Sequence, residues 1–258
     1  MKNSPIIYSK YISKYYKKNI WLKLEILNPT GSHKDRESFW MIKDAKKKGF
    51  KSIGCASTGN LAISLAFFSK INKINCKIWL LKKKTNIATI ALLKNLGAKI
   101  ILSKSKNLKK LYDESNVIMK KRKIFNANPG NFSSKIKANT DIINEIHKQK
   151  KEIDTFVTCV NNGSHFLGIY DGLRKKDKLI GVFSKSKLAK SINSFTLYEK
   201  DLLEKKYIDE KNFVEASTKN IIRGLKLLQM EGIICEPSSA SVIGSLDKKI
   251  FKKRKKIC

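Results

Sequence analysis

The chain is poor in the residues that build disulfide frameworks and metal sites. Its 258 residues include three histidines and five cysteines, none of them in a Cys-x-x-Cys pair. The cysteines are Cys55, Cys76, Cys159, Cys235 and Cys258. An odd, scattered set argues against a disulfide framework, and the histidines are scattered as well. The sequence therefore predicts a reduced, cytoplasmic protein without a structural metal.

Long apolar runs are also missing. No stretch of 18 or more apolar residues occurs, so the sequence predicts no membrane span and no membrane partner. The start, Met1 to Pro5, lacks the apolar region of a secretory signal. An apolar content of 41% is enough for one substantial core or two smaller lobes.

Acidic residues and arginine are scarce, whereas lysine is abundant. The formal net charge is +34, which is typical of a nucleic-acid binder. Arginine, however, is the preferred reader of bases and phosphates, and the lysines are spread over the whole chain. A coding bias towards Lys, Asn and Ile explains the charge better, so nucleic acid is not favoured as a partner. The densest cluster, 248–256, is where incidental contact with polyanions is expected.

Apolar runs of strand length alternate with segments of helical period. Strands are predicted at 20–24, 52–56, 76–81, 98–102, 123–126, 155–160 and 179–183. Helices are predicted at 60–71, 86–96, 108–121, 134–149, 166–173, 220–230 and 239–246. The segment 185–209 has weak periodicity. This alternation predicts an α/β fold with mainly parallel sheets covered on both faces, and ligands then bind beyond the carboxyl ends of the strands.

Four turns at strand ends carry the candidate chemistry. The first, Asn28 to Arg36, places Lys34 at a helix start after a Pro/Gly turn, where a lysine amine could form a Schiff base. The second, Ala56 to Asn60, could cradle a carboxylate at a helix N-terminus, although a plain N-cap by its serine or threonine would look the same. The third, Asn161 to His165, could hold a phosphate by backbone N–H groups or be a simple tight turn. The fourth, Cys235 to Ala240, could merely start a helix.

Taken in order, these segments resemble the fold-type II family of pyridoxal-phosphate enzymes, and within it the threonine synthases most closely. Asn28 to Arg36 is similar to the family motif Asn-Pro-Thr-Gly-Ser-Phe-Lys-Asp-Arg, and Ala56 to Asn60 is similar to its Ala-Ser-Thr-Gly-Asn loop. Ser4 to Ile7, Leu96 to Lys99 and Glu231 to Ser241 also follow the family pattern. The resemblance covers nearly the whole chain.

The resemblance implies a cofactor, pyridoxal 5′-phosphate, and roles for particular residues. Lys34 would form the internal aldimine and act as general base and acid, and Asn60 would contact the 3′-oxygen of the cofactor. The substrate carboxylate would be held by Ser57, Thr58 and Gly59. The cofactor phosphate would be held by Asn161, Asn162, Gly163, Ser164 and His165.

The resemblance also implies a fold and a reaction. The fold would have two three-layer lobes, as in the tryptophan synthase β subunit, with 1–43 and 127–258 forming the larger, cofactor-binding lobe and 44–126 the smaller lobe with the substrate loop. The reaction would be that of a carbon–oxygen lyase on an amino acid, converting O-phosphohomoserine and water to threonine and phosphate. A serine/threonine dehydratase, a degenerate non-catalytic member and a polyanion-binding protein on an old enzyme scaffold remain alternatives. A homodimer is a further possibility, since family members are often dimers.

The sequence departs from the family pattern at several positions. His33 replaces a Phe, Glu37 replaces a Gly, and the phosphate loop lacks most of its glycines. Asn161 could be accommodated there, since Asn tolerates positive φ better than most residues, whereas the side chains of Ser164 and His165 are expected to crowd the phosphate. The chain is also expected to be short at both ends, since the family strand that leads to a Thr-Gly turn would begin at 256–258.

Overall fold

The computed structural model describes residues 3–82, 85–105, 107–128, 133–161, 163–192 and 209–258. The described α-helices are α1 (Lys10–Tyr16), α2 (Lys34–Lys47), α3 (Asn60–Ile71), α4 (Ile87–Asn95), α5 (Leu108–Lys121), α6 (Ser133–Gln149), α7 (Ser164–Asp171), α8 (Thr218–Met230) and α9 (Pro237–Gly244). The described strands are β1 (Ile6–Tyr8), β2 (Asn19–Lys23), β3 (Ser52–Ala56), β4 (Asn75–Leu81), β5 (Lys99–Ser103), β6 (Phe125–Asn126), β7 (Thr155–Cys159), β8 (Lys178–Phe183), β9 (Phe213–Glu215) and β10 (Lys256–Ile257). Short 3-10 segments lie at Glu25–Leu27, Lys187–Ile192, Glu210–Asn212 and Lys249–Phe251. Among the described helices, none combines the length and the apolar character needed to cross a membrane.

The chain divides into two compact units, one formed by 25–138 and the other by 3–24 and 139–258. The predicted boundaries lay near residues 43 and 127, and the division into a larger and a smaller lobe stays a prediction. The first unit gains α2 because this helix packs on α3 and β3. It gains the start of α6 because the buried amine of Lys135 donates to the carbonyls of Ala127 and Asn128, at 3.0 and 2.9 Å. Which lobe binds the cofactor stays a prediction.

The first unit is built on a parallel sheet of four described strands in the order β5-β4-β3-β6. Alternate residues of β4 enter different cores, since Ile78 and Leu80 pack with α2 and α3, whereas Trp79 and Leu81 pack with α5. This alternation follows from the period of two along a strand. The prediction of a parallel sheet covered on both faces is therefore confirmed for this unit.

The second unit has its described strands in the order β1-β2-β10-β7-β8-β9. Only the β1–β2 pair is antiparallel among these strands. The strand expected to begin at 256–258 is present as β10, where Ile257 pairs with Ile20 on one side and Thr155 on the other. The core combines these strands with Leu227 of α8 and Ile243 of α9.

Helices α8 and α9 cross at two glycines. A Cβ atom built on Gly224 would lie 1.9 Å from the carbonyl oxygen of Ala240, and one built on Gly244 would lie 1.7 Å from that of Asn220. Only residues without a Cβ allow this approach. The Asn220 amide also donates to the Gly244 carbonyl at 2.9 Å, which ties the two helices together.

Candidate functional site

The segment that leads to Lys34 is held together by its own side chains. The Arg36 guanidinium, only 3% exposed, binds the Glu25 carboxylate through Nε at 2.7 Å and Nη2 at 2.9 Å. The Asn28 amide donates to the same carboxylate at 2.7 Å and to the Ser32 carbonyl at 3.2 Å. Gly31 turns the chain with a φ of +81°. A bidentate pair with an additional donor gives this loop a defined shape.

Asp35 fixes the first turn of α2. Its buried carboxylate accepts the Thr30 N–H at 2.7 Å and also the Thr30 hydroxyl. A carboxylate in the first turn of a helix is favoured by the helix dipole. The Asn, Thr, Gly, Asp and Arg of the motif thus serve to place Lys34 as the first residue of α2.

Lys34 is withdrawn from bulk solvent and paired with Glu37. Its side chain is 17% exposed, and Nζ lies 2.9 Å from both carboxylate oxygens of Glu37, whose side chain is fully buried. Burial acts to raise the pKa of Glu37, but the positive charges of Lys34, His33 and Lys135 outweigh it and lower this pKa to about 2. The buried carboxylate is therefore ionised and holds the amine in place.

The loop after β3 offers an open helix start. Gly59 is the N-cap of α3, and no side-chain cap bond is found there in the described residues. Capping by Ser57 or Thr58 is therefore the wrong interpretation. The Ser57 hydroxyl accepts the Gly59 N–H at 3.3 Å, and a Cβ built on Gly59 would meet nothing within 4 Å. A small carboxylate can be accommodated at such a terminus.

Helices α2 and α3, which begin at Lys34 and Asn60, are joined by a buried hydrogen bond. The Ser64 hydroxyl donates to the Ser38 hydroxyl at 2.8 Å, and both side chains are fully buried. This bond lies one turn past the start of each helix, a rise of about 5.4 Å. Lys34 and Asn60, the first residues of the two helices, are thus each four residues from this bond.

Asn128 supports the loop after β3 and was not singled out as a site residue in the sequence. Its buried side chain accepts the Ala56 N–H at 2.6 Å and donates to Ser115 and Asn116 at 2.8 Å each. The bond to Ala56 fixes the last residue of β3, immediately before Ser57. The Asn-Pro pair in the sequence indicated only a turn.

The third turn lies in the second unit. Gly163 has a φ of +69° and is the N-cap of α7. Among the described residues of this turn, Gly163 is the one with positive φ, which follows from the freedom of a residue without a Cβ. Asn162 lies outside the described residues.

The two side chains expected to crowd the third turn are directed elsewhere. Ser164 is fully buried. His165 Nδ1 lies 2.8 Å from Oδ1 of Asn139 on α6, a partner that the sequence did not reveal. Both side chains thus have surroundings within the second unit, and whether they would crowd a phosphate stays a prediction.

Taken by itself, each unit carries residues whose chemistry suits pyridoxal 5′-phosphate. The first unit carries the shielded amine of Lys34 and the open N-terminus of α3, which begins at Asn60. The second unit carries a glycine turn at the start of α7, which is suited to a phosphate. The assignment of individual residues to cofactor and substrate stays a prediction.

Comparisons with known proteins agree with these features. Threonine synthase from Methanocaldococcus jannaschii is 27% identical over 269 residues, which cover 90% of this chain and 65% of that protein. Threonine synthase from Mycobacterium bovis is 38% identical over 98 residues, or 38% of this chain and 27% of that protein. The chain thus spans less than two thirds of the length of either relative.

Solved structures show the same fold. Maize serine racemase superposes with a TM-score of 0.88 at 17% identity, covering 99% of this chain and 86% of that one. A family model described as "Pyridoxal-phosphate dependent enzyme" matches residues 1–258. The chain therefore belongs to the pyridoxal-phosphate dependent enzyme family, whose cofactor is pyridoxal 5′-phosphate.

Proposed function

We propose that the protein is a carbon–oxygen lyase that acts on an amino acid, with the reaction of threonine synthase: O-phosphohomoserine and water give threonine and phosphate. The observation that carries the proposal is the placement of Lys34. Its amine is shielded, paired and at the start of α2, beside the helix that begins at Asn60. The similarity to the Methanocaldococcus jannaschii threonine synthase supports the choice of reaction.

The proposed roles follow from what each group can do. Lys34 Nζ would anchor the cofactor and then hold and return a proton at the substrate α-carbon. The cofactor, when bound, supplies the electron sink for this chemistry. Asn60 would orient the cofactor, and the loop Ser57–Gly59 would bind the substrate carboxylate at the N-terminus of α3.

The remaining parts of the proposal concern the cofactor phosphate, the cellular compartment and the oligomeric state. The turn 161–165 would hold the cofactor phosphate by N–H groups at the start of α7. The five cysteines are free in the structure, and we place the protein in the reducing cytoplasm. A homodimer is also part of the proposal.

The anchor is tested by reductive trapping. Purified protein mixed with pyridoxal 5′-phosphate should turn yellow, and borohydride should fix the cofactor on the peptide that contains Lys34. Lys34→Ala should abolish both signals. Lys47→Ala is the matched control, since it removes an exposed lysine from the other end of the same helix. Yellow colour and a labelled peptide in the Lys34 variant would overturn the assignment.

The reaction is tested separately from the anchor. Release of phosphate from O-phosphohomoserine by the yellow protein is the expected result. Release of ammonia from serine or threonine, without phosphate release, would favour the dehydratase alternative. Yellow protein with neither activity would indicate a non-catalytic member, and retention on DNA at physiological salt would favour a polyanion binder.

A further inference from the structure

A cationic cavity lies in the second unit, outside the residues assigned to the proposed reaction. It has a volume of about 460 Å³ and is bounded by the end of α1, by α8 and by the segment that follows α9. Among the described residues that line it, the charged ones are Lys17, Lys18, Arg223, Asp247, Lys248 and Lys252. Five of these side chains are cationic and one is a carboxylate, so the cavity has the charge of an anion site. Its volume is in the range of small-molecule sites. We call it the basic pocket.

Two backbone carbonyl groups hold the Lys18 ammonium in place beside the basic pocket. Its ammonium donates to the carbonyl oxygens of Phe251 and Arg254, at 2.7 and 2.9 Å. An ammonium has three donors, so a further N–H can serve a ligand. Burial lowers the pKa of Lys18, and an anion nearby would favour its charged form.

One buried donor of Arg223 has no hydrogen-bond partner among the described residues, although the side chain interacts with Tyr16, Asp247 and Gly244. Its Nη2 lies 2.7 Å from Oδ2 of Asp247 and also donates to the Gly244 carbonyl. Its Nε is buried and has no hydrogen-bond partner among the described residues. A buried unpaired donor is costly and in native proteins is commonly explained by a missing acceptor.

The wall also contains aromatic surface. Tyr15 is 54% exposed and packs edge-on against Tyr16, with ring centroids 4.8 Å apart. The Tyr16 hydroxyl donates to the Ile243 carbonyl at 2.8 Å, and burial raises the pKa of Tyr16, so the phenol stays neutral. The wall thus offers a fixed apolar surface beside the cations.

We propose that the basic pocket is a second binding site, for a small phosphorylated molecule whose phosphate group sits among Lys18, Arg223, Lys248 and Lys252. Phosphate is the preferred anion because several convergent cations match its double charge. Asp247, the single carboxylate among the described lining residues, pairs with Arg223 and should weaken the binding of a phosphate. The proposal does not depend on the reaction proposed above.

The experiment separates a site from the general attraction of a chain with a net charge of +34. Binding of inorganic phosphate to the cofactor-loaded protein is measured by calorimetry. Lys248→Gln with Lys252→Gln should weaken binding roughly tenfold, since two charge-assisted contacts are lost. Lys253→Gln with Lys255→Gln, which removes the same charge from the same segment outside the pocket, should change it less than about twofold.

A variant expected to strengthen phosphate binding and a measurement of hydrogen exchange near the basic pocket complete the test. Asp247→Asn should strengthen phosphate binding severalfold, because the only carboxylate among the described pocket residues is removed. Hydrogen exchange should slow in the segments 14–19 and 246–253 when phosphate is added. The proposal would be overturned by equal losses of phosphate binding in the two double lysine variants, or by unchanged binding in the variant of Lys248 and Lys252. Slower hydrogen exchange only outside the segments 14–19 and 246–253 would also overturn it.

Discussion

Replacing Glu37 by Gln should destabilise the cofactor-free protein by about 3 kcal/mol at pH 7. The pKa of Glu37 falls from its ordinary value of 4.5 to about 2 on folding. At about 1.36 kcal/mol per pKa unit, this difference corresponds to about 3 kcal/mol of stability. Glutamine removes the charge and leaves the largely buried Lys34 ammonium without its carboxylate.

The pH dependence has a definite sign. Because the folded pKa is lower than the unfolded one, the unfolded chain takes up the proton first as the pH falls. The stabilisation by Glu37 is therefore fully present well above pH 4.5 and is lost between 4.5 and about 2. The gap between the native protein and Glu37→Gln should shrink by roughly 1 kcal/mol between pH 7 and pH 3.5.

Urea unfolding at pH 7, 5 and 3.5 measures this gap. Tryptophan fluorescence reports on the first unit through Trp79, which is 1% exposed in β4. Glu152→Gln, the same change at an exposed position, should have a negligible effect at every pH. Lys34→Met and the variant that combines it with Glu37→Gln complete a double-mutant cycle, which isolates the interaction energy between Lys34 and Glu37. A gap below about 1 kcal/mol at pH 7, or one that widens on acidification, would refute the reasoning.

Two further substitutions test the packing around the sheets. Gly224→Ala would favour α8 by about 1 kcal/mol from helix propensity alone, but the new Cβ would meet the Ala240 carbonyl. We expect a net loss of more than about 2 kcal/mol, so an unchanged or raised melting temperature would contradict the close helix crossing. Asn128→Ala leaves the Ala56 N–H without its acceptor, so it should lower the free energy of unfolding by about 1–3 kcal/mol and weaken cofactor binding. Asn116→Ala keeps that bond and should have a milder effect. Equal effects of the two variants in denaturation and cofactor titration would show that the bond to Ala56 is unimportant.

Several elements could be predicted from the sequence because their signals are local. The helices Asn60–Ile71 and Leu108–Lys121 and the strand Ser52–Ala56 have the predicted bounds. Their apolar periods, of 3.6 and 2 residues, are properties of the segment itself. The helix predicted from 166 begins two residues earlier, at Ser164, because the left-handed Gly163 serves as its cap.

Contacts between distant segments could not be predicted in this way. Asn128 and Asn139 gave no signal beyond their position in a turn and a helix, and their roles depend on Ala56 and His165. Lys248 to Lys256 appeared as an incidental cluster. In the fold, Lys248 and Lys252 line a cavity with residues from α1 and α8.

The sequence by itself determined the alternation of strands and helices, the position of Lys34 at a helix start and the family to which the chain belongs, since each is carried by local pattern or contiguous motif. Only the tertiary structure decided that Glu37, which the sequence showed only as a replacement for the Gly of the family pattern, is fully buried against Lys34. It also decided that β10 lies between β2 and β7. The physical reason is that burial and strand pairing depend on which distant segments meet, and a local pattern does not contain that information.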